Sequence, residues 1–227
     1  MKRKTFIILF SVFICLVSVS FFSVRIFSEK QGAEERGLRE TLNKSPMDVE
    51  ARTRLGVLYW NMGEKKNAMR EFKKTLEINR EYAFPYYYLG EDFFLKRKYT
   101  EASENYELFM RYMDLSPADD EGLGESYVAA LHKIANRFWV MKEFASSGKT
   151  LEKIIKLDPG DTKAKYNLAV YYYNYKRDRV RAFKEMNAVM ESSPGSRMAA
   201  KAEFFIDYIR RNPDPRIIGD VSFMDED

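Results

Sequence analysis

The sequence predicts an all-α chain: a stack of about four helix pairs with a further helix capping the C-terminal end, preceded by one apolar segment able to cross a membrane. Three observations carry this reading. Beyond Ser28, apolar residues recur at helical spacing, with no sustained alternation and no Asn-Gly or Asp-Gly hairpin. The helical segments come in pairs that align with one another, as the units of a solenoid do. Residues 5–24 contain no charged side chain. With 227 residues, 45% of them apolar and 15% aromatic, the chain has ample material for a packed core.

The elements follow in order. Residues 1–4 hold Lys2, Arg3 and Lys4 and are expected in the cytoplasm by the positive-inside rule. In residues 5–24, fourteen positions are Phe, Ile, Leu or Val. At ~1.5 Å per residue this stretch spans ~30 Å, the thickness of a bilayer's hydrocarbon core, and is expected to be an uncleaved anchor. Cleavage at Ser18-Val19-Ser20, which would release a secreted protein, is the alternative. The single cysteine, Cys15, follows Ile14 rather than a small residue, which argues against a lipoprotein signal, and no intrachain disulfide can form. Residues 25–37 read as a linker and 212–227 as an acidic tail.

Between them, apolar spacing predicts helices over 48–62, 64–78, 81–96, 100–112, 120–140, 142–156, 161–175, 178–192 and 196–211. Gly63 suits a helix C-terminus, and Thr100 and Ser196 suit N-caps. Leu38, Leu42 and Pro46 fit the end of a preceding half-repeat. Met198, Ala202, Phe205 and Ile209 give the last helix one apolar stripe, as a capping helix needs.

The repeat is legible in particular residues. Leu55-Gly56-x2-Tyr59 followed by Ala68-x3-Phe72 returns as Leu89-Gly90-x2-Phe93 followed by Ala102-x3-Tyr106. This pattern resembles the tetratricopeptide repeat (TPR). Weaker copies read Ile134-Ala135-x2-Phe138 with Ser147-x3-Leu151, and Leu168-Ala169-x2-Tyr172 with Ala182-x3-Met186. Where the family carries a tryptophan, this chain has Arg52, Tyr86, Leu131 and Lys165. An insertion around residues 115–124 separates the second and third copies, and the fourth has one extra residue in its inter-helix turn. The resemblance covers residues 38–211 and implies a TPR-like α-solenoid whose small residues Gly56, Gly90, Ala135 and Ala169 let paired helices approach closely.

Chemistry is hard to find. Ser147-Gly148-Lys149-Thr150 resembles the end of a phosphate-binding loop, but Glu143 stands where that loop needs glycine and no strand precedes it. His132 is the only histidine, which excludes a His-pair metal site. No Gly-x-Ser-x-Gly elbow occurs, and Asp119 and Asp120 suit a helix start better than acid–base work. Lys2, Arg3, Lys4 and Arg25 account for the whole net charge of +4, so the balanced remainder offers no general attraction to nucleic acid. We expect no enzyme activity and no cofactor.

The expected function is a membrane-tethered adaptor that takes a protein or peptide in a concave groove, as the resemblance implies. The competing reading is a structural subunit packing through its solenoid edges, and self-association remains open. Four residues beyond each small crossing residue stands an aromatic: Trp60, Phe94, Trp139 and Tyr173. Three residues before it stand Thr53, Tyr87, His132 and Tyr166, and Asn61, Asn136 and Asn174 lie alongside. These are the candidate partner-binding residues. Tyr86-Tyr87-Tyr88 and Tyr171-Tyr172-Tyr173 cannot all face one core at ~100° per residue, so some of these rings are expected to face outward.

Overall fold

A computed structural model of the chain describes residues 29–115 and 126–212. Every regular element among them is helical. α1 covers 29–44; α2 (Val49–Asn61), α3 (Lys65–Ile78), α4 (Phe84–Leu95), α5 (Tyr99–Leu115), α6 (Tyr127–Val140), α7 (Phe144–Leu157) and α8 (Thr162–Tyr171) follow. A π-helical turn (Tyr172–Lys176) extends α8, and α9 (Arg179–Ser192) and α10 (Arg197–Arg211) complete the set. The architecture is an all-α, TPR-like solenoid. No helix among the described residues is long and apolar enough to cross a membrane, and the expected span at 5–24 lies outside them. The tail beyond Asn212 also lies outside them.

Local chemistry sets the helix starts. Asp48, Ser126, Asp161, Asp178 and Ser196 each accept a hydrogen bond from the backbone N–H three residues on, satisfying a donor that the first turn leaves open. Ser196 therefore acts as expected. Thr100 does not: α5 already begins at Tyr99, so Thr100 lies inside its first turn. Helix α6 begins at Tyr127, after Ser126, and residues 120–125 of the expected helix lie outside the described residues. The stretch read as a linker is helical from residue 29.

The chain divides into two compact units, Met1–Leu89 with Phe109–Pro117 and Gly90–Leu108 with Ala118–Asp227. In the first, the α2–α3 crossing brings Phe72 so near Gly56 that a Cβ there would lie 2.5 Å from Phe72 Cε1. Phe72 also stacks on Tyr88 (4.9 Å). Tyr59 ties α1 to α2: its hydroxyl donates to Glu35 Oε1 (2.7 Å) and accepts from Arg39 Nη2 (2.6 Å).

The second unit repeats the crossing. A Cβ on Gly90 would lie 2.6 Å from Tyr106 Cε1. At the α6–α7 crossing, Ser147 Oγ donates to the Ala135 carbonyl (2.9 Å). Ala68, Ala102, Ser147 and Ala182, on the second helices of the four pairs, are all wholly buried. A ring therefore faces glycine in the first two pairs, whereas in the last two the equivalent buried residues, Leu151 and Met186, are aliphatic and the crossing residue is alanine. The volume is conserved and only its division changes.

Gly148, from the phosphate-loop-like string, lies within α7, where a Cβ would collide with the Tyr171 ring. That glycine makes room for the next pair. Within the second unit, Glu91 accepts from the Tyr106 hydroxyl (2.6 Å) and from Arg137 Nε and Nη2 (3.2 and 3.1 Å), joining α4, α5 and α6. Burial first, then the Glu91 charge, pushes the Tyr106 phenol far above its ordinary value. Helix α10 buries Ala202, Phe205 and Ile209, with Phe205 against Tyr166 and Tyr173.

Each pair turns through a residue with positive φ: Gly63 (79°), Arg97 (58°), Lys142 (64°) and Arg177 (53°). In the first three, the next N–H bonds back to Tyr59, Phe93 or Phe138, which closes the helix end as a left-handed C-terminal residue allows. In the fourth pair the extra residue is absorbed by the π turn, and the Asp178 N–H reaches back to Tyr172 (2.9 Å). Glycine takes this conformation freely, whereas a residue with a Cβ is strained by about 1–2 kcal/mol.

Gly56→Ala should destabilise the fold by ~1–3 kcal/mol through overpacking against Phe72. Combined with Phe72→Leu, which restores the division of volume found in the third pair, the loss should fall well below the sum of the two single losses. Urea unfolding of the four proteins checks this. Additivity within ~0.5 kcal/mol would show that the two side chains do not share one space.

Candidate partner-binding surface

The crossing residue fixes the rotation of the first helix in each pair and so decides where the residues one turn away point. In the first unit, Trp60 is half-buried. It meets Tyr88 edge-on at 5.6 Å, and the Lys65 ammonium lies 3.0 Å from its ring centroid. Asn61 is exposed beside it. Thr53 is wholly buried, its hydroxyl donating to the Val49 carbonyl at 2.7 Å. Tyr87 is buried against Tyr88 and Phe109.

In the second unit, Phe94 is half-buried beneath the Arg137 guanidinium, 4.4 Å from its centroid, and beside Tyr99. The same Arg137 holds Glu91, so its cation stabilises both a carboxylate and a ring face. Trp139 is half-buried with Phe144 edge-on at 4.9 Å. Asn136 is half-buried. Asn174 is also half-buried, and its Oδ1 is enclosed with no hydrogen-bond partner.

Two further candidates prove to be core. Tyr166 is buried against Phe205, and Tyr173 is wholly buried by Phe205 and Tyr208 while its hydroxyl donates to the Asn212 carbonyl. With Tyr87 and Thr53, they line no open surface in this structure. The cause is packing from neighbouring helices, α10 above all, which a residue's position within its own helix does not reveal. The tyrosine triplets show the same effect: Tyr87, Tyr88, Tyr171, Tyr172 and Tyr173 are all buried and only Tyr86 is partly exposed, because helices pack on more than one side of each first helix.

His132 has a partner that sequence spacing does not show. Its Nε2 donates to Asp161 Oδ2 (2.6 Å), and Asp161 Oδ1 caps α8 by accepting from the Ala164 N–H (2.7 Å). Burial acts to raise the Asp161 pKa, but the bonds from His132 and the α8 backbone outweigh it and leave the carboxyl below its ordinary value. Among the described residues, no group of three His, Cys, Asp or Glu is placed to hold a metal ion.

Sequence reasoning missed the inter-helix turns. Leu95, Tyr99, Val140, Tyr175 and Val180 are exposed there, beside the strained Arg97, Lys142 and Arg177. Their spacing, seven residues beyond Gly90 and Ala135 and eight beyond Ala169, was the available signal.

These paired helices and their crossings define a helical-repeat protein of the solenoid class. Residues 49–82 match the family model of the tetratricopeptide repeat. A 60-residue stretch is 28% identical to human Tetratricopeptide repeat protein 6, covering 26% of this chain and only 12% of that relative. Among solved structures, the chain is similar to MamA (24% identity, TM-score 0.51, covering 74% of this chain and 89% of that one). It is also similar to Pseudomonas aeruginosa pilF (19%, TM-score 0.52, covering 81% and 86%) and to yeast Tom70 (18%, TM-score 0.54, covering 79% and 36%). These structural likenesses show the fold.

Because the Asp161 carboxyl is depressed in the folded state, it contributes stability above its unfolded pKa of ~3.9 and loses it as pH falls through the folded value. Asp161→Asn keeps a capping oxygen but removes the charge held by His132. The variant should therefore be less stable near neutrality, with the difference shrinking in acid. Chemical denaturation from neutral pH to well below ~3.9 checks this. A constant difference at every pH would remove the ionised carboxylate from the account.

Proposed function

We propose that the chain is a non-catalytic adaptor tethered to a membrane, whose repeats hold a protein or peptide ligand. Residues 5–24 form the single-pass anchor in this reading, with the N-terminus cytoplasmic and the repeats on the far side, periplasmic in a bacterium. The supporting observation is the position one turn beyond each crossing. Trp60 in the first unit, and Phe94 and Trp139 in the second, each keep part of a large aromatic ring exposed there. Partly exposed tryptophan is enriched where proteins bind one another, since it offers large contact area with little rotamer entropy to lose.

Asn61 and Asn136 supply amides for a ligand's backbone, whereas the Oδ1 of Asn174 is enclosed and out of a ligand's reach. His132 is held by Asp161, so its contribution is a fixed ring edge.

A photo-crosslinking residue placed at Asn61 or Asn136 should give a discrete product in intact cells, absent when it replaces the exposed Glu104 or Lys149 on the second helices. Trp60→Ala or Trp139→Ala should weaken that capture by ~2 kcal/mol or more, about thirty-fold, with little change in melting temperature. Equal crosslinking from both sets of positions, or unfolding by both tryptophan variants, would defeat this reading.

A further inference from the structure

The turns between paired helices in the second unit lie side by side along one edge. Ser103 on α5 donates to Glu143 in the α6–α7 turn (2.7 Å). Phe144, which opens α7, packs on Tyr175 at 5.4 Å, and Tyr175 stacks on Tyr171 at 5.5 Å. Arg97, Lys142 and Arg177 stand at the matching left-handed position of the three turns. Each is exposed, and none is ion-paired among the described residues. The first unit shows what this geometry favours, since its turn has Gly63 there. Three strained cations at a glycine position are an outlier that the fold does not require.

Apolar side chains are exposed beside them, as Leu157 is on the opposite edge. Leu95 is 62% exposed, Val140 49%, Tyr175 45% and Val180 79%, interleaved with Lys96, Lys98 and Lys176. The acids here are engaged: Asp92 holds Lys96, Glu101 lies 3.8 Å from Lys98, Glu143 accepts from Ser103, and Asp178 caps α9. The turns on the opposite edge, at 157–161 and 193–196, carry Asp158 and Asp161 and no Lys or Arg. With Lys156, Lys163 and Arg197 flanking those turns, the difference is one of degree, the unpaired Arg97, Lys142 and Arg177 being confined to the first edge.

We propose that this edge of the second unit rests on an anionic bilayer surface, its Arg and Lys side chains among lipid phosphates and its exposed aliphatic and aromatic groups in the interfacial layer. Cations beside exposed Leu, Val and Tyr are what a headgroup region accommodates, because it offers negative charge and apolar depth at one place. A nucleic-acid backbone would use the charges and leave Leu95 and Val180 in water. The proposal is independent of the ligand surface above, which involves different side chains and a soluble partner.

The test uses the full chain with Cys15→Ser, reconstituted into vesicles, and an environment-sensitive fluorophore on Leu95→Cys or, on the opposite edge, Leu157→Cys. With phosphatidylglycerol in phosphatidylcholine, the label at 95 should shift to the blue and be quenched by a lipid-borne quencher. Phosphatidylcholine alone or high salt should abolish the shift, and the label at 157 should not respond. The triple variant Arg97→Gly, Lys142→Gly, Arg177→Gly should lose the shift while melting no lower than its parent, since glycine relieves the backbone strain. Equal responses at 95 and 157, a shift indifferent to lipid charge, or a triple variant that keeps it would overturn the proposal. A shift that needs protein concentration rather than lipid would give the edge to a second copy of the chain.

Discussion

Two helices of a pair can approach only as closely as the side chains between their backbones permit. At each crossing that space is divided between one residue on the first helix and one on the second. Glycine with an aromatic ring fills it in the first two pairs, as Gly56 with Phe72 and Gly90 with Tyr106. Alanine with an aliphatic side chain takes the same positions in the last two, with Leu151 and Met186 wholly buried. Because interiors are packed near crystalline density, this division cannot drift at one residue without a response at the other. The crossing sets the rotation of each first helix, and that rotation places everything else that matters here.

Polar ties also join helices within each unit. They share a chemistry: a phenol or imidazole held by a carboxylate. Tyr59 with Glu35, Tyr106 with Glu91, His132 with Asp161 and Tyr172 with Glu152 all follow it. The Tyr59 hydrogen bond first, then the Arg39 hydrogen bond and cation, lower the Glu35 pKa. Arg52, at one of the tryptophan positions, pairs with the buried Glu71 instead. Such pairs add modest net stability, because desolvation offsets much of the attraction. Their directional bonds restrict which helix faces can meet.

Much of this was legible in the sequence because it is local. Apolar spacing located nine helices to within a few residues at most ends, and the small residues located the crossings. Thr100 misled because a good capping side chain does not cap unless the preceding backbone turns there, and α5 starts one residue earlier. The surface was less legible. Trp60 and Tyr173 occupy equivalent positions, yet one ring is partly exposed and the other enclosed, because α10 lies against the second. No periodicity within a single helix encodes what a later helix will cover.

The fourth pair shows which part of the repeat is defended. Its extra residue could have lengthened the turn and left α8 regular. Instead the helix takes up the residue as a π turn, giving up its α hydrogen-bond register between Tyr172 and Lys176, and Arg177 still adopts the left-handed conformation. π turns are uncommon and concentrate where function constrains a helix. Here the constraint lies at both ends of the short stretch: Ala169 is fixed by the crossing, and Arg177 must stand at the edge beside Tyr175. A helix that distorts between two fixed points preserves both. The inter-helix turn, and not the helix alone, therefore belongs to the conserved geometry of the repeat within this one chain.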